Sequence, residues 1–180
     1  MTEVQGWNST NPTFADIIAE VKPRVIIEVG SWRGASVIHM ASLCDAKFYC
    51  VDTWLGSFEH IRDGWIQFGG RPNLYEQFLE NTAHLHDRMV PICLPSNIAA
   101  KCFAHKNVTA DLVYIDGSHD YEDVKRDLRD YWPLVTDGGA MFGDDYWEWA
   151  DVRRAVNEFG AVDLQRVPRI HYEKFWSFKK

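Results

Sequence analysis

Apolar residues fall along this chain in short continuous runs: RVIIEVG (24–30), KFYCVD (47–52), MVPICL (89–94), DLVYID (111–116) and GAMFGD (139–144). Runs of this length that do not alternate with polar residues read as strands covered on both faces. Between them the apolar spacing changes to that of helices: ASVIHMASL (35–43) after the first run, LYEQFLENTAHL (74–85) before the third, SNIAAKCFA (96–104) after it, and YEDVKRDLRDYWPLV (121–135) after the fourth. FADIIAEVK (14–22) opens the pattern and DVRRAVNEFG (151–160) follows the fifth run. Strand and helix taking turns predict a parallel α/β sheet with right-handed crossovers and helices on both faces. The tail differs, with two strand-like runs, VDLQRVP (162–168) and YEKFWSF (172–178), around a short turn. A hairpin there adds an antiparallel edge strand to a mostly parallel, seven-stranded sheet.

At 180 residues the pattern fits one domain, 1–180, around one core. The long connection at 53–73, TWLGSFEHIRDGWIQFGGRPN, is rich in glycine and aromatics and is expected to serve as a lid or substrate loop. A net charge of -7 argues against a nucleic-acid partner, since such proteins usually show a basic face. Cys44, Cys50, Cys93 and Cys102 lack C-x-x-C spacing and lie in apolar stretches, so they read as reduced, buried thiols of a cytoplasmic protein. The start MTEVQGWNSTNP has neither a basic n-region nor an apolar run, and no 18-residue apolar segment occurs, so neither export nor a membrane partner is expected.

Ligands of open α/β sheets bind at the carboxyl ends of the strands. After the first run comes Glu28-Val29-Gly30-Ser31-Trp32-Arg33-Gly34-Ala35-Ser36, with the spacing E-x-G-x-x-x-G. Gly30 and Gly34 allow a sharp turn and close backbone approach, but the G-x-G-x-x-G of a pyrophosphate site is absent. The second run ends in Asp52, 22 residues after Gly30, where a carboxylate can accept hydrogen bonds from both ribose hydroxyls. Asp116 ends the fourth run, and Asp144 with Asp145 follows the fifth. Strand ends that neighbour in the sheet bring these carboxylates to one rim, where a divalent cation would offset their repulsion, and all-oxygen ligation favours Mg2+. Asp144 or Asp145 could instead cap a helix starting near Tyr146. His119 lies three residues past Asp116 and is a candidate proton acceptor, with Asp120 beside it as a residue that could steer the ring or cap the next helix.

These residues resemble the class I S-adenosylmethionine-dependent methyltransferases, and more narrowly the metal-dependent small-molecule O-methyltransferases of catechol and macrocin type. The resemblance spans roughly residues 14–147, and IDGSHDYEDVKRDL..WPLVTDGGAMFGDDY is its most specific part. It implies a Rossmann-like methyltransferase fold with adenosylmethionine at Glu28, Gly30, Ser31, Gly34, Ser36, Asp52, Thr53, Ser96 and Asp116. Within that set, Glu28 and Ser36 lie near the methionine part, Asp52 holds the ribose, and Ser96 lies near the adenine. Here Pro95 precedes Ser96 where relatives often carry glycine. The resemblance also implies Asp116, Asp144 and Asp145 as metal ligands, with Asp145 as in macrocin-type sequences and not the Asn of catechol-type ones. His119 occupies the position of the general base, histidine in macrocin-type enzymes and lysine in catechol-type ones.

The expectation is a Mg2+-dependent O-methyltransferase in which the acceptor's hydroxyl binds near Asp116 and gives its proton to His119. Sugars or sugar-bearing metabolites are the first expectation for the acceptor and catechol-like phenols the second. Two other readings are a metal-dependent hydrolase using the Asp/His rim and a non-catalytic adenosyl-ligand-binding module. Trp32, Trp54, Trp147 and Trp149 flank the site loops as a wall for a ligand or as core, and His60, Arg62, Trp65 and Arg71 are candidates to close over an acceptor. Glu122, Asp123, Lys125, Arg126, Asp127, Arg129 and Asp130 read as a solvated helix face with i to i+4 ion pairs. Exposed aromatics on a short domain leave a homodimer open.

Overall fold

The computed structural model describes residues 9–67 and 73–180. Helix α1 (Pro12–Val21) starts where Asn11 accepts a hydrogen bond from the Thr13 N–H and Pro12 fits the first turn. Strand β1 (Val25–Val29) follows, then α2 (Ala35–Leu43), β2 (Lys47–Asp52), the short α3 (Phe58–Arg62), α4 (Leu74–Thr82), β3 (Met89–Cys93) and α5 (Ser96–His105). The second half runs β4 (Ala110–Ile115), α6 (Tyr121–Tyr131), β5 (Val135–Gly143), α7 (Ala150–Glu158), β6 (Arg169–His171) and β7 (Phe175–Lys179). One seven-stranded sheet results, in the order β3-β2-β1-β4-β5-β7-β6. Strands β1 to β5 pair in parallel, while β7 runs antiparallel between β5 and β6.

Alternate residues along the strands supply two cores, one on each face. Ile26, Leu112, Tyr114 and Phe142 pack under α1, α2 and α4 through Phe14, Met40 and Phe78. Ile27, Val113, Ile115 and Met141 pack under α5, α6 and α7 through Phe103, Leu128 and Val156. Burying each such side chain contributes about 1.5–3 kcal/mol, so both faces hold the sheet in place. The chain leaves β1 toward β2 and β3, then returns to place β4 on the other side of β1. That reversal opens a crevice at the carboxyl ends of β1 and β4, where ligands of doubly wound sheets bind.

Several local expectations are corrected. VDLQRVP forms no strand: Phe159–Leu164 continues from α7 as a π-helical turn ended by Gln165 in the left-handed region. Val162 and Val167 are exposed there and only Leu164 packs on the core, so no alternating apolar face forms, and the first hairpin strand shrinks to Arg169–His171. The helix expected to reach Val135 ends at Tyr131, because Pro133 allows only a tight 3-10 turn, Trp132–Leu134, before β5. Strand β5 starts at Val135, earlier than expected, with a register irregularity opposite Ala110 and Leu112. All four cysteines are free, yet only Cys50 is buried; Cys93 ends the outermost parallel strand and Cys102 is exposed on α5, so both reach solvent. Among the described residues no helix is long and apolar enough to cross a membrane.

Candidate functional site

The exit of β1 is built around one glycine. Gly30 has φ +90, and a Cβ there would lie 1.9 Å from the Asp116 carbonyl oxygen, so only glycine lets the exits of β1 and β4 meet. Its N–H donates to Val51 O at 2.9 Å, and the Asp116 N–H donates to Val29 O at 2.8 Å. Beneath the loop, Glu28 is fully buried and accepts hydrogen bonds from Ser31 Oγ at 2.6 Å and Ser36 Oγ at 2.5 Å. Burial pushes its carboxyl up to about 7, against the pull of the two hydroxyls. Gly34, also left-handed, packs toward Thr82 and Phe78 of α4. Glu28 and Gly34 therefore shape the loop from behind, whereas Gly30, Ser31 and Ser36 line the cavity in front of it.

Asp52, at the end of β2, also lines this cavity, with Thr53 next to it. Its Oδ2 accepts from the Trp32 N–H at 2.8 Å and its Oδ1 from the Trp54 N–H at 2.7 Å. Burial nevertheless lifts its pKa above the usual carboxylate range. The Ser31 backbone N–H adds a third donor, so the group is fixed in orientation, and its remaining acceptor capacity is open to a ligand hydroxyl in the cavity.

Across the crevice, Tyr114 Oη donates to Asp116 Oδ2 at 2.9 Å. Burial, followed by the charges of Asp144 and Asp145, pushes the Asp116 carboxyl up to about 8. His119 is held on both sides: its Nδ1 lies 2.9 Å from Glu59 Oε1 and its Nε2 lies 2.7 Å from Asp145 Oδ2, with the Trp149 ring stacked at 4.5 Å. Burial opposes the imidazolium, but the Asp145 hydrogen bond and the charges of Asp145, Asp116 and Glu59 outweigh it and carry its pKa to about 9. Asp145 has φ +64, an uncommon conformation for a residue with a side chain and one that clusters at functional sites. Asp144 is buried behind it, with Oδ1 accepting from the Asp145 N–H at 2.7 Å and its carbonyl accepting from Trp176 Nε1. Neither aspartate caps a helix at Tyr146, because α7 begins at Ala150 with Trp149 in the capping position.

Asp116, His119 and Asp145 each offer a ligand atom, and the three atoms lie within 4.8 Å of one another. Asp144 adds its charge to this group without joining it. The donor set of carboxylates and one imidazole suits a hard or borderline divalent cation, and a cation would offset the burial and the carboxylate repulsion that raise the Asp116 pKa.

Both halves open on one cavity of about 780 Å³. Trp32, stacked on His60 at 4.1 Å, together with Phe58, Trp65 and Trp149, supplies its aromatic walls. Trp54 is instead core, packed on Tyr75 and Phe78, and Trp147 points outward under Arg153. Of the loop residues, His60 and Trp65 face the cavity, Arg62 does not line it but pairs with Asp63, which does, and Arg71 lies outside the described residues. At the far end, Ser96 Oγ donates to Asp127 Oδ1 at 2.6 Å.

Two acids at this site escaped the sequence reading. Glu59, not Asp120, meets the imidazole; Asp120 is exposed and makes no side-chain cap bond. A lone glutamate in a loop carries no signal of that contact. Asp127 was placed on the solvated face, yet it is 4% exposed and lines the cavity. Its signal was present, because Val124, Asp127, Leu128 and Tyr131 follow the i, i+3, i+4, i+7 spacing of the buried stripe of α6.

A sequence profile described as "Methyltransferase domain" matches residues 27–146. No curated protein matches the chain in sequence. Among solved structures, the O-methyltransferase NovP superposes with a TM-score of 0.69 at 17% identity, covering 93% of this chain and 78% of its own. CalS11, a TDP-rhamnose 3'-O-methyltransferase of calicheamicin biosynthesis, gives 0.65 at 17%, covering 93% and 76%. An O-methyltransferase from Bacillus cereus in complex with SAH gives 0.67 at 14%, covering 98% and 83%. At these identities the likeness establishes a shared fold.

Proposed function

The chain belongs to the methyltransferase-domain family, and from that membership we propose that it is an S-adenosylmethionine-dependent O-methyltransferase acting on a hydroxyl of a small molecule. The observation that carries the reading is one cavity joining the Gly30 loop and Asp52 to Asp116, His119 and Asp145. A sulfonium cofactor needs no pyrophosphate cradle, which agrees with a loop lacking the middle glycine, and Asp52 presents a fixed carboxylate to the ribose. Asp116 and Asp145 would hold Mg2+, with Asp144 adding its charge beside them, and the ion when bound would supply charge neutralisation and lower the pKa of a nearby hydroxyl.

The protein's own groups account for the rest. In the transfer, the bond from sulfur to the methyl carbon breaks as a bond from the acceptor oxygen forms, and the hydroxyl proton passes to His119. Glu59 holds Nδ1 as the protonated nitrogen and turns Nε2 toward the rim, the division of labour seen where a carboxylate orients a catalytic imidazole. Nε2 now faces Asp145, so it can take a proton only when that carboxylate is engaged elsewhere. The Trp149 ring fixes the imidazole plane, and the walls exclude water from the sulfonium. Sugars or sugar-bearing metabolites are the acceptor class we favour, supported by histidine at position 119 and by a sugar O-methyltransferase among the structural neighbours. Phe58 and Trp65, lining the mouth while 70% and 52% exposed, offer apolar faces to a pyranose or an aromatic ring.

The test is thermal stabilisation by S-adenosylhomocysteine and Mg2+, separately and together, followed by transfer of a labelled methyl group to a panel of nucleotide sugars and catechols. Site-specific ligands stabilise according to their occupancy. No response to S-adenosylhomocysteine would overturn the cofactor assignment; a response to it alone, with transfer indifferent to chelators, would remove the cation.

A further inference from the structure

Besides Asp52, the cavity is lined by Leu94 and Pro95 after β3, by Gly117 and Ser118 after β4, and by Asp127 of α6. Its Oδ1 is taken by Ser96 Oγ at 2.6 Å. Its Oδ2 lies on the Gly117 side, where a methyl group added to that glycine would sit 3.8 Å away. Among the described residues no protein donor reaches Oδ2. Arg126 ion-pairs with Asp123 at 3.0 Å and not with Asp127.

Holding the start of α5 does not require this carboxylate. Tyr131 Oη already donates to the Ser96 carbonyl at 2.9 Å from the next turn of α6, and one acceptor oxygen satisfies the Ser96 hydroxyl. The second oxygen opens on the cavity without a protein donor, and burial pushes this carboxyl up to about 7. A donor carried in by the ligand would complete it.

We propose that Asp127 selects the cofactor's nucleobase: its free oxygen accepts a hydrogen from the 6-amino group of adenine while Ser96 anchors the other oxygen. This rests on the adenosylmethionine reading above, with the ribose at Asp52 and the purine in the slot between the ends of β3 and β4. A 6-oxo purine would set a carbonyl oxygen against the carboxylate and leave both without a donor. Sites built to receive a ligand N–H discriminate strongly against analogues that lack it.

The experiment is equilibrium binding of S-adenosylhomocysteine and S-inosylhomocysteine to the wild type, Asp127→Ala and Tyr131→Phe. We expect the wild type to prefer the adenosyl ligand by on the order of 100-fold, Asp127→Ala to lose most of that preference, and Tyr131→Phe to keep it. A purely structural Asp127 would weaken both ligands alike and leave the ratio unchanged, which would overturn the proposal. If Asp127→Ala fails to fold, the wild-type ratio still decides, since equal affinities for the two ligands would overturn it. Failure of the wild type to bind S-adenosylhomocysteine at all would instead overturn the cofactor reading, and this proposal with it.

Discussion

Replacing Asp116 with Asn tests the acidic rim through stability alone, without a known acceptor. Burial and the charges of Asp144 and Asp145 raise the Asp116 carboxyl from 3.8 to about 8. At about 1.4 kcal/mol per pH unit, its charged form is disfavoured in the folded protein by on the order of 5 kcal/mol. Asp116 opens on the cavity, where water screens part of that field, so about 2–4 kcal/mol is the realistic range. The folded-state pKa is raised, so this stability is fully present below about pH 4, lost as pH rises toward 8, and level above. Asparagine imitates the protonated carboxyl, retains an acceptor for Tyr114 Oη and does not titrate. In chelator, Asp116→Asn should melt close to the wild type near pH 4.5 and above it at pH 8, by roughly 5–15 °C for a chain of this size. Glu28 and His119, raised to about 7 and about 9, tilt both proteins in the same direction, so the readout is the difference between them at each pH. Mg2+ should stabilise the wild type more at pH 8 than at pH 5 and leave the variant unmoved. Differential calorimetry giving equal melting temperatures for the two proteins across this range would refute the crowded-carboxylate account.

His119→Ala should lower turnover by about 10²–10⁴-fold while calorimetric S-adenosylhomocysteine affinity stays within error; unchanged turnover would strip His119 of the base role. Glu59→Ala should cut kcat by roughly 10- to 100-fold with little change in cofactor affinity, and Glu59→Gln, which keeps an acceptor for the ring, should recover part of it. If Glu59→Gln is as damaged as Glu59→Ala, orientation of the imidazole is not what Glu59 provides. Gly30→Ala must set a methyl group 1.9 Å from the Asp116 carbonyl at φ +90, so it should cost about 3 kcal/mol or more and abolish cofactor binding; urea unfolding at wild-type denaturant concentrations would contradict the packing at the strand exits.

The parallel sheet was legible because buried strands are apolar on both faces, a demand that shows in Val25–Ile27 of RVIIEVG and Leu112–Ile115 of DLVYID. Segments whose structure depends on one neighbour were not. Val162 and Val167 look strand-like by composition, yet the edge next to β7 is filled by Arg169–His171, and the preceding residues had no partner left to pair with. Cys93 and Cys102 sit in apolar company along the chain, but Cys93 lies on the edge strand β3 and Cys102 on the exposed face of α5.

The site divides in the same way, and the division bears on how the chemistry is controlled. Gly30, Asp52 and Asp116 end strands, so the strand pattern alone carries them to one rim. Glu59 reaches His119 across 60 residues from a loop with no strand to fix it, and its contact exists only while α3 lies over the cavity. In the proposed mechanism, a base oriented from this loop would be competent in one loop position and idle in others. Displacing α3 would remove the group that orients Nδ1 and carry away Phe58, which lines the cavity. In that mechanism, acceptor entry and orientation of the base would be tied to the same segment, and an acceptor packing on Phe58 would also set His119. On this logic a truncated acceptor lacking the part that touches Phe58 should lose kcat as well as affinity in steady-state assays, and a loss confined to KM would show that loop and base act independently.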